Sequence, residues 1–260
     1  MKSLEKKCCI ITGAGGGIGR GITLAFIHEG ASVAICDINS QSLKETCQLI
    51  EKTGAKIISR VVDITDVSAI KDFVQEVGET FETLDVLINN AAIMPVSHWD
   101  ILTENLVDKI LNVNLRAPIF FTKYAVPFMI KSGGGSIIHM SSVTGHNGFP
   151  DVAIYGATKG GLMALARGHA IELAPHKIRV NTVSPGTVDS PMLHRFVQEN
   201  SDNPHEILAE YDKIHPRGKM SSIEEVANVF VFLASDASIN ITAEDIRCDG
   251  GYCVQGGQPK

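Results

Sequence analysis

The 260-residue sequence predicts an α/β fold in which helices cover both faces of a parallel sheet. Three observations carry that prediction. Seven short apolar runs alternate with longer stretches of helical period, the rhythm of repeated βα units. Several of those runs are rich in Val and Ile with no polar alternation, as strands buried on both faces require. The first run also passes directly into a glycine-rich turn, Thr12-Gly13-Ala14-Gly15-Gly16-Gly17-Ile18-Gly19.

The strand candidates in order are Lys7–Ile11, Ser32–Cys36, Lys56–Val62, Leu84–Ile88, Ser136–Met140, Arg179–Val183 and Ile246–Cys248. Between them, Ile18–Glu29 reads as a helix ending at Gly30, and Leu43–Lys52 as one ending at Gly54. Val67–Thr80 places Val67, Ile70, Phe73, Val74 and Val77 on one face, with Asp66 as its N-cap. Val152–Ala174 has helical period, and Ser222-Ile223-Glu224-Glu225 reads as a capping box opening Ile223–Ala234. The rhythm breaks once, over 190–219, where two amphipathic pieces follow the sixth strand. An insertion at the carboxyl end of a strand is where open α/β sheets bind ligands, so this segment is read as a substrate lid. No linker divides the chain, and residues 1–260 are expected to form one domain.

Composition bounds the function. A net charge of −6, a pI near 5.8 and the lack of any Lys/Arg run give the surface no electrostatic reason to seek nucleic acid or anionic lipid. The apolar stretch Ile119–Ile130 contains Lys123 and Pro127 and is too short to span a bilayer, so the expected location is the cytoplasm. Six cysteines without Cys-x-x-Cys, and nine histidines without His-Glu-x-x-His, argue against a metal site.

The glycine turn opens a helix whose free N–H groups and dipole suit a phosphate, pointing to Gly13, Gly16, Gly17, Ile18 and Gly19 as the pyrophosphate cradle of a dinucleotide. Asp37 closes the second strand eighteen residues after Gly19, where a carboxylate accepts the ribose hydroxyls and repels a 2′-phosphate. Gly16 and Ile38 are uncharged, and Arg20, the one cation nearby, reads as a solvated helix residue. NAD is therefore favoured over NADP. Asp63 and Ile64 end the third strand and Asn90, Ala91 and Ala92 the fourth, along the same carboxyl edge. An S-adenosylmethionine-dependent methyltransferase can hold its adenosine on the same elements, and so can a non-catalytic dinucleotide-binding protein.

Tyr155 and Lys159 stand four apart on the helix over Val152–Ala174, which returns them to one face about 6 Å apart. An ammonium beside a phenol favours phenolate, which suits proton transfer to or from an alcohol oxygen. Ser142 lies thirteen residues earlier, just past the fifth strand.

The ordered set Thr12–Gly19, Asp63, Asn89–Ala92, Asn114, Ser142, Tyr155, Lys159, Pro185-Gly186 and Asp249-Gly250-Gly251 resembles the short-chain dehydrogenases/reductases over essentially the whole chain. The resemblance implies a Rossmann-type doubly wound, seven-stranded parallel sheet and a homotetramer or dimer packed through the helices around 103–131 and 152–174. It implies Tyr155 as general acid/base, Lys159 as the group that lowers the phenol's pKa and holds the nicotinamide ribose, and Ser142 as the substrate-oxygen donor. It implies Asn114 as holder of a water reaching Lys159, whereas Pro118 on its own predicts a bend in the helix there. Pro185, Gly186 and Val188 would lie beside the carboxamide, with Ser190 also touching the cofactor. Two departures stand out: Ala92 replaces the last glycine of Asn-Asn-Ala-Gly, and Ala243 the glycine of Thr-Gly before the last strand.

Substrate contacts are expected from Ser142, Tyr155, Met94, His146 and Met192, with His98 and Trp99 packed under the lid. At 6% aromatic residues the chain is poorly furnished for a large flat apolar substrate, and a small polyol, sugar or hydroxy acid, oxidised at a secondary alcohol, is the class expected.

Overall fold

A computed structural model describes residues 2–255; residues 1 and 256–260 of the domain expected over 1–260 lie outside the described residues. Seven strands form one parallel sheet: β1 (Cys8–Thr12), β2 (Ser32–Asp37), β3 (Ile57–Val61), β4 (Val86–Asn89), β5 (Gly135–Met140), β6 (Ile178–Pro185) and β7 (Asp245–Cys248), in the order β3-β2-β1-β4-β5-β6-β7. The order reverses between β1 and β4, and that switch leaves a crevice at the carboxyl ends of the strands. All seven expected strands are present, and every pairing is parallel.

Two apolar layers hold the sheet. One face packs on α1 (Gly17–His28) and α9 (Ile223–Ala234), where Ile22, Phe26, Phe230 and Leu233 are fully buried. The other packs on α3 (Val67–Phe81), α5 (Ala117–Lys131) and α6 (Ala153–Leu173), through Ile70, Val74, Phe121, Ala166 and Ala170. The local signals read from sequence are in place: Asp66 caps α3 by accepting from Ser68 N and Ala69 N, and Ser222 and Glu225 form the capping box of α9. α2 begins at Ser40, three residues earlier than expected, because Asn39 accepts from the Ser42 N–H and caps it there, and it runs to Ile50.

The stretch before α5 is a continuous helical path with an irregularity. α4 (Glu104–Leu111) passes into a π-helical segment, Asn112–Arg116, and then into α5. The sequence attributes a bend here to Pro118; the widening begins earlier, around Asn114, whose side chain is drawn inward. The insertion after β6 consists of α7 (Pro191–Asn200) and α8 (Pro204–Ile214). A one-residue parallel bridge between Val188 and Ser221 closes its base.

Ala243 has φ +64°, the left-handed region that L side chains disfavour. The position where the resembling family carries glycine is thus one that needs glycine's conformation. Left-handed Ala costs about 1–2 kcal/mol, and glycine's extra backbone entropy about 0.5–1 kcal/mol, so the strain outweighs the entropy. Ala243→Gly is therefore expected to raise stability by roughly 1 kcal/mol or less. Urea unfolding followed by circular dichroism checks this, and a lowered midpoint would show that the strain is relieved elsewhere.

Candidate active site

The site grows from three strand ends. At β1, the hydroxyl of Thr12 donates to Ile88 O (3.3 Å) and accepts from the N–H groups of Asn90 (3.0 Å) and Ala91 (3.1 Å). The Asn90 amide donates to the carbonyls of Thr12 (2.9 Å) and Gly13 (3.2 Å). These bonds fix the glycine turn against the end of β4. Gly13 has φ +67°, and a Cβ on Gly19 would stand 2.0 Å from the Gly13 carbonyl oxygen. Gly16, by contrast, faces open space within 4 Å of where its Cβ would be. Gly16 is the N-cap of α1 and offers no side-chain cap, and the first turn holds no acidic residue. That combination of uncovered N–H groups, a positive helix end and room in front of it fits a phosphate-bearing coenzyme.

Asp37 stands at the end of β2. One of its oxygens accepts from Gly15 N and the other from Asn39 N, both at 2.9 Å, which fixes the carboxylate in orientation while leaving lone pairs free. Arg20 corrects the sequence reading. It is not a solvated helix residue: its guanidinium donates to Gly15 O, Ser42 O (3.1 Å), Thr46 Oγ1 (2.9 Å) and Glu45 (3.0 Å). It clasps the glycine turn to α2, with its charge already matched by Glu45. Ile38 is two-thirds exposed beside Asp37, an apolar surface at the crevice rim. Asp63 is exposed and holds Thr65 by its N–H (2.9 Å) and hydroxyl (2.7 Å), and Ile64 follows it half-buried.

At β5 the chemical groups meet. The ammonium of Lys159 is buried, donates to Met140 O at 2.6 Å and stands 5.2 Å from the centre of the Tyr155 ring. Ser141 fastens the same turn of α6 by donating to Lys159 O at 2.9 Å. Ser142 opens a short 3-10 turn, Val143–Gly145, accepting from Thr144 N at 3.2 Å. Its hydroxyl also lies near enough to the Tyr155 phenol to favour the ionised form. Met94 follows β4, half-buried, and Met192 on α7 is half-exposed. The sequence thus brings Ser142, Tyr155 and Lys159 to one point.

Burial dominates the protonation of this group. It pushes the Tyr155 phenol up to about 12, with the Ser142 hydrogen bond pulling the other way, and pushes Lys159 down to about 7. The expectation that Lys159 lowers the phenol is therefore not met by the protein alone: desolvation dominates, the group that lowers the phenol is Ser142, and Lys159 itself tends to lose its proton.

Asn114 is buried in the π-helical segment. Its Oδ1 accepts from Ile93 N (2.9 Å), and its Nδ2 donates to Ile93 O (2.8 Å) and Thr158 Oγ1 (3.4 Å). It staples the segment after β4 to the helix that carries Tyr155. His146 is also placed differently from expectation. Its Nε2 pairs with Asp245 at 2.8 Å, and Asp245 in turn accepts from the hydroxyls of Ser184 (2.7 Å) and Thr182. Its Nε2 is held at the start of β7. Trp99 is 77% exposed and is not packed under the α7–α8 pair, and its neighbour His98 is held by Asp100. Pro185, Gly186 and Val188 end β6 and begin the turn that follows. Ser190 caps α7, accepting from Leu193 N at 3.4 Å. Thr12 was not singled out from sequence, although a hydroxyl at a strand end one residue before the turn glycine is a legible brace.

The family model described as enoyl-(acyl carrier protein) reductase matches residues 13–253. The chain is 37% identical to the 3-oxoacyl-(acyl-carrier-protein) reductase FabG of Thermotoga maritima over 96% of its length and 99% of that protein. It is also 37% identical to the dehydrogenase/reductase SDR family member 6 of Rattus norvegicus, over 98% of this chain and all of the rat protein. The chain belongs to the short-chain dehydrogenase/reductase family. Among solved structures of similar fold is carveol dehydrogenase from Mycobacterium avium in complex with NAD, with a TM-score of 0.92 at 28% identity over 98% of this chain and 100% of that one. Members of this family are oxidoreductases that use a nicotinamide dinucleotide, which sets aside the methyltransferase alternative. Among the described residues no helix is long and apolar enough to cross a membrane, and no cluster of metal-ligating side chains occurs.

A buried lysine held near 7 has a consequence for folding. The unfolded chain keeps its lysine protonated to about 10.4, so between those values the unfolded state binds more protons and stability rises with pH. The stability difference between wild type and Lys159→Met should move in favour of wild type from about pH 7 to about pH 10, measured by denaturant unfolding of the coenzyme-free proteins. A pH-independent difference would show that the ammonium is solvated.

Proposed function

We propose that this short-chain dehydrogenase/reductase is an NAD-dependent enzyme that interconverts a secondary alcohol, of the small polyol, sugar or hydroxy acid class, and the corresponding ketone. The observation that carries this reading is the convergence of the Tyr155 phenol, the Ser142 hydroxyl and the Lys159 ammonium at the end of β5, on the same carboxyl edge of the sheet as the uncapped start of α1. The bound coenzyme supplies hydride acceptance and, when oxidised, a positive charge. The chain's own residues do the rest. Uncovered N–H groups over Gly16–Gly19 would hold the pyrophosphate, Asp37 would accept from the adenosine ribose hydroxyls, and Ile38 would offer an apolar surface next to it. Asp63, Ile64, Asn90, Ala91 and Ala92 border that half of the site. Pro185, Gly186, Val188 and Ser190 border the nicotinamide half, and α7 and α8 act as the lid, with Met192 toward the substrate.

Ser142 would orient the substrate oxygen, and Tyr155, once ionised, would take its proton, with the coenzyme as the acceptor for the hydride of the alcohol carbon. A phenol held at about 12 is a poor donor of its proton at neutral pH, so ionisation must await a second positive charge beside it. Lys159 then passes the proton on, and its own tendency to release one near neutrality suits that relay. NAD over NADP follows from the carboxylate of Asp37 and from Arg20, whose guanidinium is engaged by Glu45 and three other partners. The NAD complex of carveol dehydrogenase supports the same choice. The cytoplasm as location and a homodimer or homotetramer as assembly belong to the same proposal.

Two measurements test it. With a panel of secondary alcohols and NADH absorbance as readout, Tyr155→Phe should lower turnover by about 10²–10⁴-fold while fluorescence titration shows NADH still bound; retained turnover removes Tyr155 from the mechanism. Wild type should bind NADH more tightly than NADPH, and Asp37→Ala should narrow that gap; an unaltered ratio would place the choice of coenzyme elsewhere.

A further inference from the structure

The turn after β6 is gripped from above by one histidine. His215 follows the last residue of α8 and is 2% exposed. The Thr187 N–H donates to its Nε2 at 3.2 Å, while its Nδ1 lies 2.7 Å from the Tyr211 carbonyl oxygen. A carbonyl only accepts and an amide N–H only donates, so the two partners dictate a single state. The ring is neutral, with its proton on Nδ1. The other side of Thr187 is tied as well, since its carbonyl accepts from Ser221 N at 3.0 Å.

The ring is also packed into a column. Its centre lies 5.3 Å from that of Tyr252, which stacks on Phe149 at 6.1 Å. Phe149 belongs to the segment between Ser142 and Tyr155, and Tyr252 follows β7. Below the ring, a Cβ on Gly186 would come 3.0 Å from His215 Nε2 and 3.0 Å from Asp249 Cα, so the turn lies flush against the imidazole. One side chain therefore joins the end of the α7–α8 pair, the turn Pro185–Val188, the post-β7 segment and the loop that leads to Tyr155.

We propose that His215 is a positioning residue: through Nε2 it holds the Thr187 amide, and with it the coenzyme-facing turn, in register with the base of the α7–α8 pair. The proposal rests on the reading that Pro185–Val188 borders the nicotinamide. The two nitrogens have separable functions. The Nε2 acceptor sets the turn, whereas the Nδ1 donor only ties the ring to its own helix. His215→Gln can present an oxygen at the Nε2 position, while His215→Asn can present an amide donor at the Nδ1 position.

The test compares wild type, His215→Gln, His215→Asn and His215→Leu by NADH and NADPH fluorescence titration and by hydrogen exchange at the Thr187 amide without coenzyme. Asn and Leu should each weaken binding of the preferred coenzyme about tenfold, the effect of losing one buried hydrogen bond, and should speed Thr187 exchange. His215→Gln should bind within about twofold of wild type and keep Thr187 protected. Equal behaviour of Gln and Asn, or wild-type binding and exchange in Asn, overturns the proposal. If His215→Leu does not fold, the contrast between Gln and Asn decides alone. Wild type that binds neither coenzyme would defeat the proposed function instead, and the Thr187 exchange contrast would still decide whether the clamp exists.

Discussion

The structure depends on an ammonium ion buried beneath a phenol. Lys159 is 1% exposed, and its one hydrogen-bond acceptor is the Met140 carbonyl at the end of β5. Burying a charge with so few partners is unfavourable unless its proton is easily lost or an anion arrives, which is why its pKa falls to about 7. The fold accepts this cost because α6 is held in one register by other bonds. Ser141 grips the Lys159 carbonyl, Thr158 donates to Tyr155 O at 2.6 Å, and close packing at Gly145 and Gly156 leaves no room for α6 to slide over the 3-10 turn after β5. The strained group is thereby placed beside a phenol whose ionisation would supply the missing negative charge.

The same logic joins the two halves of the crevice. The β4 end is shared: Asn90 and Ala91 brace the glycine turn through Thr12, and two residues later Ile93 is stapled by Asn114 to the helical layer that carries Tyr155. A displacement of the post-β4 segment would therefore disturb the glycine turn and the layer that carries Tyr155 together. His215 does for the α7–α8 side what Asn114 does for the β4 side, using a ring where Asn114 uses an amide.

Much of this was legible in the sequence. The seven strands could be read because buried parallel strands are short apolar runs, and Asp66 and the Ser222–Glu225 box could be read because capping is local in sequence. Ser142, Tyr155 and Lys159 were found by order and spacing. What escaped depends on contacts between distant residues. Arg20 looks solvated until α2 arrives to receive it, and His146 looks like a pocket residue until β7 places Asp245 beside it. Trp99 was expected to pack because tryptophan usually does, yet nothing in its own segment reaches over to cover it. The π-helical turn at Asn114 arises from a bond to Ile93 twenty-one residues away, and no local pattern announces it. The left-handed Ala243 shows the reverse case, where a departure from a familiar motif marked a real conformational constraint.

The ionisation of Tyr155 itself, read as the tyrosinate absorbance of wild type minus that of Tyr155→Phe, reports directly on the buried phenol and ammonium. In the free protein this difference should stay flat through pH 10, where an ordinary tyrosine titrates, and rise only toward about 12. Saturating NAD⁺ should move the rise to below the ordinary value. A Tyr155 that titrates near 10 in the free protein and ignores NAD⁺ would show that neither burial nor a bound coenzyme governs its proton.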